Sequence, residues 1–327
     1  MKDNFGRNIN YLRLSVTDRC DLRCKYCMPI KNQFFLKKKE FLSQNELRTL
    51  SNILFKLGIN KIRITGGEPL IRKDIIEYLS FLSIQKKKGL LKDVLLSTNG
   101  TQLKRFAKKL FDLGMRRINV SLDSLVSEKY NFITNGGSLE KVLDGIYEAK
   151  KCGLEIKINT VLLKNFNEEE ILNMIKWCAI NNFRQSFIEV MPVGELSTSR
   201  TNQYLPVSFA KKLIRKEFGL FETKLKTNGP SRYFKTNKFK NIIGFISPIS
   251  DHFCATCNRI RITSNGILYP CLGDNGAVDL KPYIYKKNDL ELFKVIKNSI
   301  HTKPERHFFK INEKEYIKER FMNTTGG

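Results

Sequence analysis

The sequence lacks the features that would mark it as a membrane or secreted protein. No run of its 327 residues approaches the roughly 18 consecutive apolar residues of a membrane span. The segment Met1 to Asn10 has no apolar core of the kind found in export signals. Eight cysteines are too few and too unevenly placed for a disulfide framework. These absences predict a cytoplasmic protein whose cysteines are available for other chemistry.

Acidic residues and histidine are also scarce. The chain has 32 acidic and 58 basic residues, hence a net charge of +26, and only three histidines. A charge of this size is typical of nucleic-acid-binding proteins. The basic residues are spread over every predicted helix, so compositional drift explains the charge better than a nucleic-acid groove, although a polyanionic partner stays open. A cleft for a small phosphorylated substrate needs only a few of these charges.

The hydrophobic pattern predicts an α/β fold. Short apolar strands alternate with amphipathic helices. The predicted strands cover residues 11–16, 61–65, 94–97, 117–121, 155–162 and 185–191. Six parallel strands favour an incomplete (β/α)6 TIM-type barrel with an open side, because a closed barrel of this type has eight. We expect the barrel over residues 1–194, a connector with one helix over 195–240, and a C-terminal region over 241–327.

Three cysteines lie close together after the first predicted strand: Cys20, Cys24 and Cys27. Three thiolates without a neighbouring fourth ligand suit a [4Fe–4S] cluster in which one iron remains open to a molecule that is not protein. Zinc is the alternative, but a structural zinc site needs four ligands, and the nearest histidine in sequence is His252. The spacing therefore favours an iron–sulfur site.

A second cysteine group lies in the C-terminal region. Cys254, Cys257 and Cys271 again provide three thiols, and His252 is the one nearby candidate for a fourth, zinc-type ligand. The remaining cysteines, Cys152 and Cys178, fall on predicted helices and are expected in the core.

Glycine-bearing or polar segments follow several predicted strands. Gly66 to Pro69 follows the second strand, and Ser97, Ser121 and Met191 close three others. The carboxyl ends of barrel strands carry the reactive groups, so we expect these segments around one site.

The motifs together resemble a known family. The first cysteine group, with the aromatic Tyr26 before its last cysteine, looks like the cluster motif of the radical S-adenosylmethionine (SAM) superfamily. The pattern C-x2-C-N-R-x-R-x-T that begins at Cys254, together with the diglycine end, resembles the GTP 3′,8-cyclase family over almost the whole chain. Asn265 and Thr325 depart from the usual family residues.

The resemblance implies roles for named residues. Ligands of two [4Fe–4S] clusters would be Cys20, Cys24, Cys27, Cys254, Cys257 and Cys271. Contacts to SAM would come from Tyr26, Gly67, Ser121 and Met191. Contacts to GTP would come from Arg13, Arg63, Ser97, Lys157, Arg259 and Arg261, and the five cations of this set are expected at strand ends or beside a cluster. The tail residues Gly326 and Gly327 would reach into the active site.

The resemblance also implies a reaction. A 5′-deoxyadenosyl radical derived from SAM would take the C3′ hydrogen of GTP, and C3′ would then attack guanine C8. The product, (8S)-3′,8-cyclo-7,8-dihydroguanosine 5′-triphosphate, begins molybdenum cofactor synthesis. The implied partners are an electron donor such as flavodoxin or ferredoxin and a downstream cyclic pyranopterin monophosphate synthase. The resemblance is compatible with a homodimer, and it implies neither membrane nor nucleic-acid binding.

The two cysteine groups yield a direct prediction of metal content. After anaerobic reconstitution we expect about eight irons per chain, and about four in a Cys254→Ser/Cys257→Ser/Cys271→Ser variant, because a cubane cluster holds four. Iron and acid-labile sulfide assays measure both. Zinc without sulfide in the unmodified chain would contradict the cluster interpretation at both sites.

Overall fold

The structure of the chain is a computed structural model that describes residues 1–28, 35–194, 200–225, 227, 229–309 and 320–326. Its strands are β1 Tyr11–Ser15, β2 Lys61–Thr65, β3 Asp93–Thr98, β4 Arg117–Ser121, β5 Glu155–Leu162, β6 Arg184–Glu189, β7 Phe221–Glu222, β8 Arg232–Lys235, β9 Ile243–Ile246, β10 Arg259–Ile262, β11 Ile267–Tyr269 and β12 Val278–Asp279.

Its helices are α1 Gln44–Lys56, α2 Ile75–Lys87, α3 Leu103–Asp112, α4 Ser127–Thr134, α5 Leu139–Lys151, α6 Ile171–Ile180, α7 Arg200–Gln203, α8 Val207–Phe218, α9 Lys281–Tyr285, α10 Asp289–His301 and α11 Met322–Thr325. None of the helices within the described ranges is long and apolar enough to cross a bilayer.

All the strands join one twelve-stranded sheet in the order β12-β11-β10-β1-β2-β3-β4-β5-β6-β9-β8-β7. The eight strands from β10 to β9 are mutually parallel, and the short outer strands are antiparallel. Strands β1 to β6 are the six predicted from sequence, so the parallel α/β architecture is confirmed.

The sheet is wider than six strands because the C-terminal region contributes to both of its sides. Strand β9 pairs with β6, and β10 pairs with β1. Strands β7 and β8 lie within the segment predicted to be a connector. Each of these strands is only two to four residues long, which is too short for a periodic hydrophobic signal. One sheet thus runs through all three predicted segments, and the division at 194 and 240 stays a prediction.

The alternation of side chains in β1 separates the core from the barrel interior. Leu12 and Leu14 are buried in the main hydrophobic cluster, which also contains Leu47 and Leu50 of α1. Arg13 lies between them in sequence and lines the interior cavity instead. Successive residues of a strand point to opposite faces of the sheet. The apolar core therefore lies between strands and helices, and the interior is left for polar residues.

The N-terminus of α1 has a capping box that can be tested directly. The Ser43 hydroxyl accepts a hydrogen bond from the Glu46 backbone N–H, and the Glu46 carboxylate accepts one from the Ser43 N–H at 2.7 Å. We expect Ser43→Ala to lower the free energy of unfolding by about 1 kcal/mol. Chemical denaturation of the metal-free chain measures the change. Ser43→Asp restores a capping oxygen and serves as the control; an equal loss in both variants would contradict the cap's contribution.

Candidate active site

The first cysteine group lies on a loop that follows β1 and is pinned to the end of α4. The backbone N–H groups of Arg23 and Lys25 donate to the carbonyls of Thr134 and Ile133 at 3.0 and 2.9 Å. The N–H groups of Cys27 and Met28 both donate to the carbonyl of Cys24, which closes a tight turn. The loop is thus ordered by backbone bonds, and its cysteine side chains are left to bind other atoms.

The electrostatics of this loop favour a metal centre. Burial raises the pKa of the Cys24 thiol well above its usual value, and the neighbouring charges of Cys27, Asp123 and Cys20 raise it further. Burial likewise raises the pKa of Cys20 to about 12. Such thiols would stay protonated unless a cation lay between them. A bound metal supplies that cation, since a coordinating thiol is deprotonated.

The second cysteine group sits between two strand ends. Cys254 opens a short 3-10 turn, Cys257 follows that turn just before β10, and Cys271 comes shortly after β11. Burial acts to raise the pKa of Cys257, but the charges of Arg259 and Lys303 outweigh it, so the pKa falls to about 7. At Cys271 burial raises the pKa, and Lys303 opposes that rise. All eight cysteines are free of disulfides.

The distances between ligand atoms bear on whether a site could hold a single zinc ion. A tetrahedral zinc site places its sulfur ligands about 3.8 Å apart, as follows from Zn–S bonds of about 2.3 Å. Among the described residues, the one group of three or more metal-binding side chains with ligand atoms within 4.8 Å of one another is His252, Cys254 and His307. Within the described part of the chain, neither complete cysteine trio forms such a compact group.

At the second site, the structure brings together side chains that could bind a zinc ion. The Nδ1 atom of His252, the predicted fourth ligand, lies 3.1 Å from Nε2 of His307. Sequence reasoning did not propose His307, because it lies far along the chain from the cysteines. A mononuclear ion at this place would use Cys254 and exclude Cys257 and Cys271, so it competes with a cluster for one thiol.

The glycines after β2 allow two loops to touch. A Cβ atom on Gly67 would lie 2.1 Å from the carbonyl oxygen of Arg19, which is too close for any side chain. The N–H groups of Gly67 and Glu68 donate to the carbonyls of Thr17 and Arg19, both at 2.8 Å. The glycine motif thus fixes the backbone that leads into Cys20.

Glu68 forms hydrogen bonds with the protein segments around it. Its buried carboxylate accepts hydrogen bonds from the N–H groups of Leu70 and Asn99 and from the hydroxyl of Thr98, at 2.9, 2.7 and 2.9 Å. Burial raises its pKa to about 7. Glu68 therefore joins the end of β3 to the glycine turn.

Tyr26 is anchored in a similar way. Its hydroxyl donates to Oδ2 of Asp123 at 2.6 Å, and Oδ1 of Asp123 accepts from the N–H of Val161 at 2.8 Å. Burial raises the pKa of Asp123 to about 6. The cysteine loop is thereby tied to the ends of β4 and β5.

One cavity of about 320 Å³ collects most of the predicted site residues. Those lining it are Arg13, Cys20, Cys24, Tyr26, Cys27, Arg63, Gly67, Ser97, Ser121, Lys157, Met191, Arg259 and Arg261. The second cysteine trio does not line it, but its neighbours Phe253 and Arg259 do. Cys178 is buried, as predicted for a core residue, whereas Cys152 follows the last residue of α5 and is only half-buried against the core.

Strand register sets the cations in rows. Arg13 pairs with Arg63 on one side and with Arg261 on the other, so the three lie at one level of the sheet. In a second row, Lys157 lies between Asn119 and Arg184. The sequence interpretation that the GTP-contacting cations sit at strand ends or beside a cluster is wrong for Arg13, Arg63 and Lys157, which lie within their strands. Inward alternation along the strand, and not the strand end, brings them into the cavity.

These cations are buried against one another. Burial and the charges of Arg261 and Arg63 hold the pKa of Arg13 well below its usual value. Burial and Arg259 lower the pKa of Arg261 to about 10, and burial lowers that of Lys157. A buried group of like charges is unfavourable by itself. The cavity therefore favours a polyanion.

The C-terminal tail reaches these arginines. The carbonyl of Gly326 accepts from Arg13 at 3.3 Å and also from Arg261, which donates to the carbonyl of Thr325 at 3.1 Å. A Cβ on Gly326 would lie 2.0 Å from Oγ1 of Thr65, so only glycine fits here. Thr325, which departs from the family residue, is fully buried. Gly327 lies outside the described residues.

Sequence reasoning missed several polar residues of the cavity. Lys61, Arg117 and Arg184 begin β2, β4 and β6, and Tyr11 and Asn159 also line the interior. A period of two could have found four of them, counted from Arg13 back to Tyr11, from Arg63 back to Lys61, from Ser121 back to Arg117 and from Lys157 on to Asn159. Arg184 depends on the register between strands.

Two family models match the chain. The model described as "Radical SAM superfamily" matches residues 14–178, and the one described as "Molybdenum Cofactor Synthesis C" matches residues 183–309. Curated relatives from Brucella ovis and Brucella melitensis carry the name GTP 3′,8-cyclase. Each is 44% identical over 331 aligned residues, which span 100% of this chain and 96% of the relative.

Solved structures support the fold. Streptococcus suis SuiB bound to S-adenosylmethionine aligns with a TM-score of 0.61 and 17% identity, covering 89% of this chain and 68% of SuiB. SuiB bound to its precursor peptide SuiA aligns with a TM-score of 0.62 and 17% identity, covering 92% and 72%. At this identity the likeness concerns the fold alone.

The cationic cavity predicts stabilisation by a polyanion. We expect inorganic tripolyphosphate to raise the melting temperature of the metal-free chain by several degrees, because an anion that binds only the folded state contributes about 2.7 kcal/mol at a hundred times its Kd. Sodium sulfate at equal ionic strength is the control. The rise should shrink in Arg63→Met and persist in Lys108→Met, whose side chain is exposed. Equal rises with both salts would argue against a specific site.

Proposed function

This chain belongs to the GTP 3′,8-cyclase family, and we propose that the cavity inside its sheet is the place where GTP and SAM meet. As a radical SAM enzyme of this family it catalyses the cyclisation of GTP that begins molybdenum cofactor biosynthesis. The observation that carries the residue assignments is the convergence of one cysteine trio and the buried cations on a single cavity. The roles below follow from that geometry.

Cys20, Cys24 and Cys27 are the proposed ligands of the SAM-binding cluster. The donor set fits, because three thiols of one ordered loop line the cavity and a coordinating metal deprotonates a thiol. When bound, the cluster and SAM supply the radical that takes a hydrogen atom from GTP. The protein holds this group through the backbone bonds of the loop and through the Tyr26–Asp123 hydrogen bond.

Four residues are proposed to contact SAM: Tyr26, Gly67, Ser121 and Met191. All four line the same cavity as the first cysteine trio. Gly67 acts through its backbone, since no side chain fits beside Arg19. The Glu68 carboxylate holds this turn in place by three hydrogen bonds from the protein.

The proposed GTP contacts are Arg13, Arg63, Ser97, Lys157, Arg259 and Arg261. A triphosphate relieves the repulsion between these buried cations, and arginine is suited to bidentate phosphate contacts. Positioning is the main task of the protein, because holding the ribose against the radical source needs no general acid or base.

Cys254, Cys257 and Cys271 are the proposed ligands of a second [4Fe–4S] cluster. Arg259 connects this trio to the cavity, since it lines the cavity and its guanidinium lies 4.0 Å from Sγ of Cys257. A substrate whose triphosphate is held by these cations would contact the second cluster with the end that lies away from the triphosphate. Gly326 and Gly327 would close the site from the tail.

We infer the partners from the chemistry. The reaction needs electrons, and the basic surface of a chain with a net charge of +26 suits an acidic one-electron carrier such as flavodoxin or ferredoxin. The product would pass to a cyclic pyranopterin monophosphate synthase. Free, cluster-binding cysteines favour a cytoplasmic setting. A homodimer is compatible with this function, and size-exclusion chromatography would decide it.

Lys157 gives a sharp test of the substrate assignment. Its ammonium group donates to the hydroxyls of Ser231 and Tyr233 at 3.2 and 3.3 Å, and among the described residues it bonds neither cysteine trio nor the tail. We expect Lys157→Met to lower kcat/KM for GTP by roughly 10- to 100-fold, because hydrogen bonds to charged groups contribute about 1.5–3 kcal/mol. Iron content and SAM binding should stay unchanged.

The assay is anaerobic turnover of GTP and SAM by the reconstituted enzyme, with the cyclic dihydro product identified by mass spectrometry. Lys151→Met, on the exposed end of α5, is the matched control. Unchanged kcat/KM in Lys157→Met would remove this residue from the GTP site. SAM cleavage with untouched GTP in the unmodified enzyme would move the search to another substrate.

A further inference from the structure

Lys303 is a buried cation that forms no ion pair with an Asp or Glu among the described residues. It follows α10, and only 2% of its surface is exposed. Its ammonium group donates to the carbonyl oxygen of Pro270. In the described part of the chain, no Asp or Glu oxygen lies within 4.0 Å of this nitrogen. A charge buried in this way is strongly destabilising unless an anion compensates it.

The position of Lys303 identifies the available anions. Pro270 directly precedes Cys271, so the ammonium group lies beside the second cysteine trio. Its charge acts on the thiols of both Cys257 and Cys271, and at Cys271 it is the largest influence opposing burial. The thiolates of these two residues are therefore negative groups that the charge of Lys303 can compensate.

Arg7 holds the segment that carries Lys303 against the same trio. Its guanidinium donates to the carbonyl of Cys254 at 3.1 Å and to the carbonyls of Pro304 and Glu305 at 2.7 and 2.6 Å. Arg7 is itself fixed by a buried ion pair with Asp3 at 2.6 Å. Five side-chain bonds fix Arg7, the fifth being to the carbonyl of Lys303, whereas the ammonium group of Lys303 has one bond among the described residues, to a neutral oxygen. Arg7 therefore holds the segment in place, and Lys303 brings a charge that no described carboxylate pairs with.

We propose that Lys303 is a positioning residue for the second cluster: its buried ammonium group balances the negative charge of the Cys254–Cys257–Cys271 centre and raises the reduction potential of that centre. The inference rests on the proposed function only in assigning a cluster to these cysteines. Three thiolates around an oxidised cubane leave one net negative charge, and one-electron reduction adds another. A nearby cation therefore stabilises the reduced state more than the oxidised state.

The test is a redox titration of the full-length reconstituted enzyme with dithionite and viologen mediators, followed by electron paramagnetic resonance. We expect Lys303→Met to lower the equilibrium constant for reduction of the second cluster about tenfold, which is a downward shift of about 59 mV for a one-electron couple. The first cluster is the internal control, and its potential should not move. Lys303→Arg keeps the charge and should restore most of the potential.

Lys297→Met is a matched surface control, because Lys297 is exposed on α10 and its removal should leave both potentials unchanged. An unchanged second-cluster potential in Lys303→Met would overturn the proposal. Loss of the second cluster alone in Lys303→Met, with retention in Lys303→Arg, would support it. If Lys303→Met lost both clusters, Lys303→Gln would decide, since its amide keeps a donor for Pro270 without the charge. A wild-type enzyme with one cluster would instead refute the cluster assignment itself.

Discussion

The concentration of positive charge inside the sheet is the constraint on which the rest of the structure depends. Arg13, Arg63 and Arg261 lie side by side at one level of three parallel strands, buried and close to one another. A closed hydrophobic interior would have been more stable, so the fold keeps an unfavourable group of charges that the proposed triphosphate ligand would relieve. The same polar interior leaves the hydrophobic core to the layer between strands and helices.

Two cysteine loops meet this charged interior from different parts of the chain. The first follows β1 and is fixed by α4, by the glycine turn and by the Tyr26–Asp123 bond. The second is clamped from behind by Arg7. Each loop is ordered without a bound metal, by hydrogen bonds of its backbone and of side chains that are not metal ligands. A radical reaction benefits from this rigidity, because small displacements of the substrate would expose other hydrogen atoms to the radical.

Much of this arrangement could be predicted from local patterns in the sequence. The six strands β1 to β6 follow from hydrophobic alternation, and the structure confirms them. The capping box at Ser43 and the core position of Cys178 were also predictable, since both depend on residues close in sequence. The placement of Arg13 and Arg63 at strand ends was wrong, although the alternation of β1 and β2 already implied an inward position in mid-strand.

The sequence by itself determined which residue types carry the chemistry: two groups of three thiols, a glycine turn and basic residues on alternating strand positions. Only the tertiary structure decided which of them meet. The pairing of β1 with β10 brings Arg13 beside Arg261, and the path of the chain after α10 brings Lys303 beside Cys271. The period of the sequence pattern indicates on which face of a strand a residue lies, and the spacing between residues indicates how far a loop can reach. The register between distant strands depends on packing of the whole chain, which no local pattern contains.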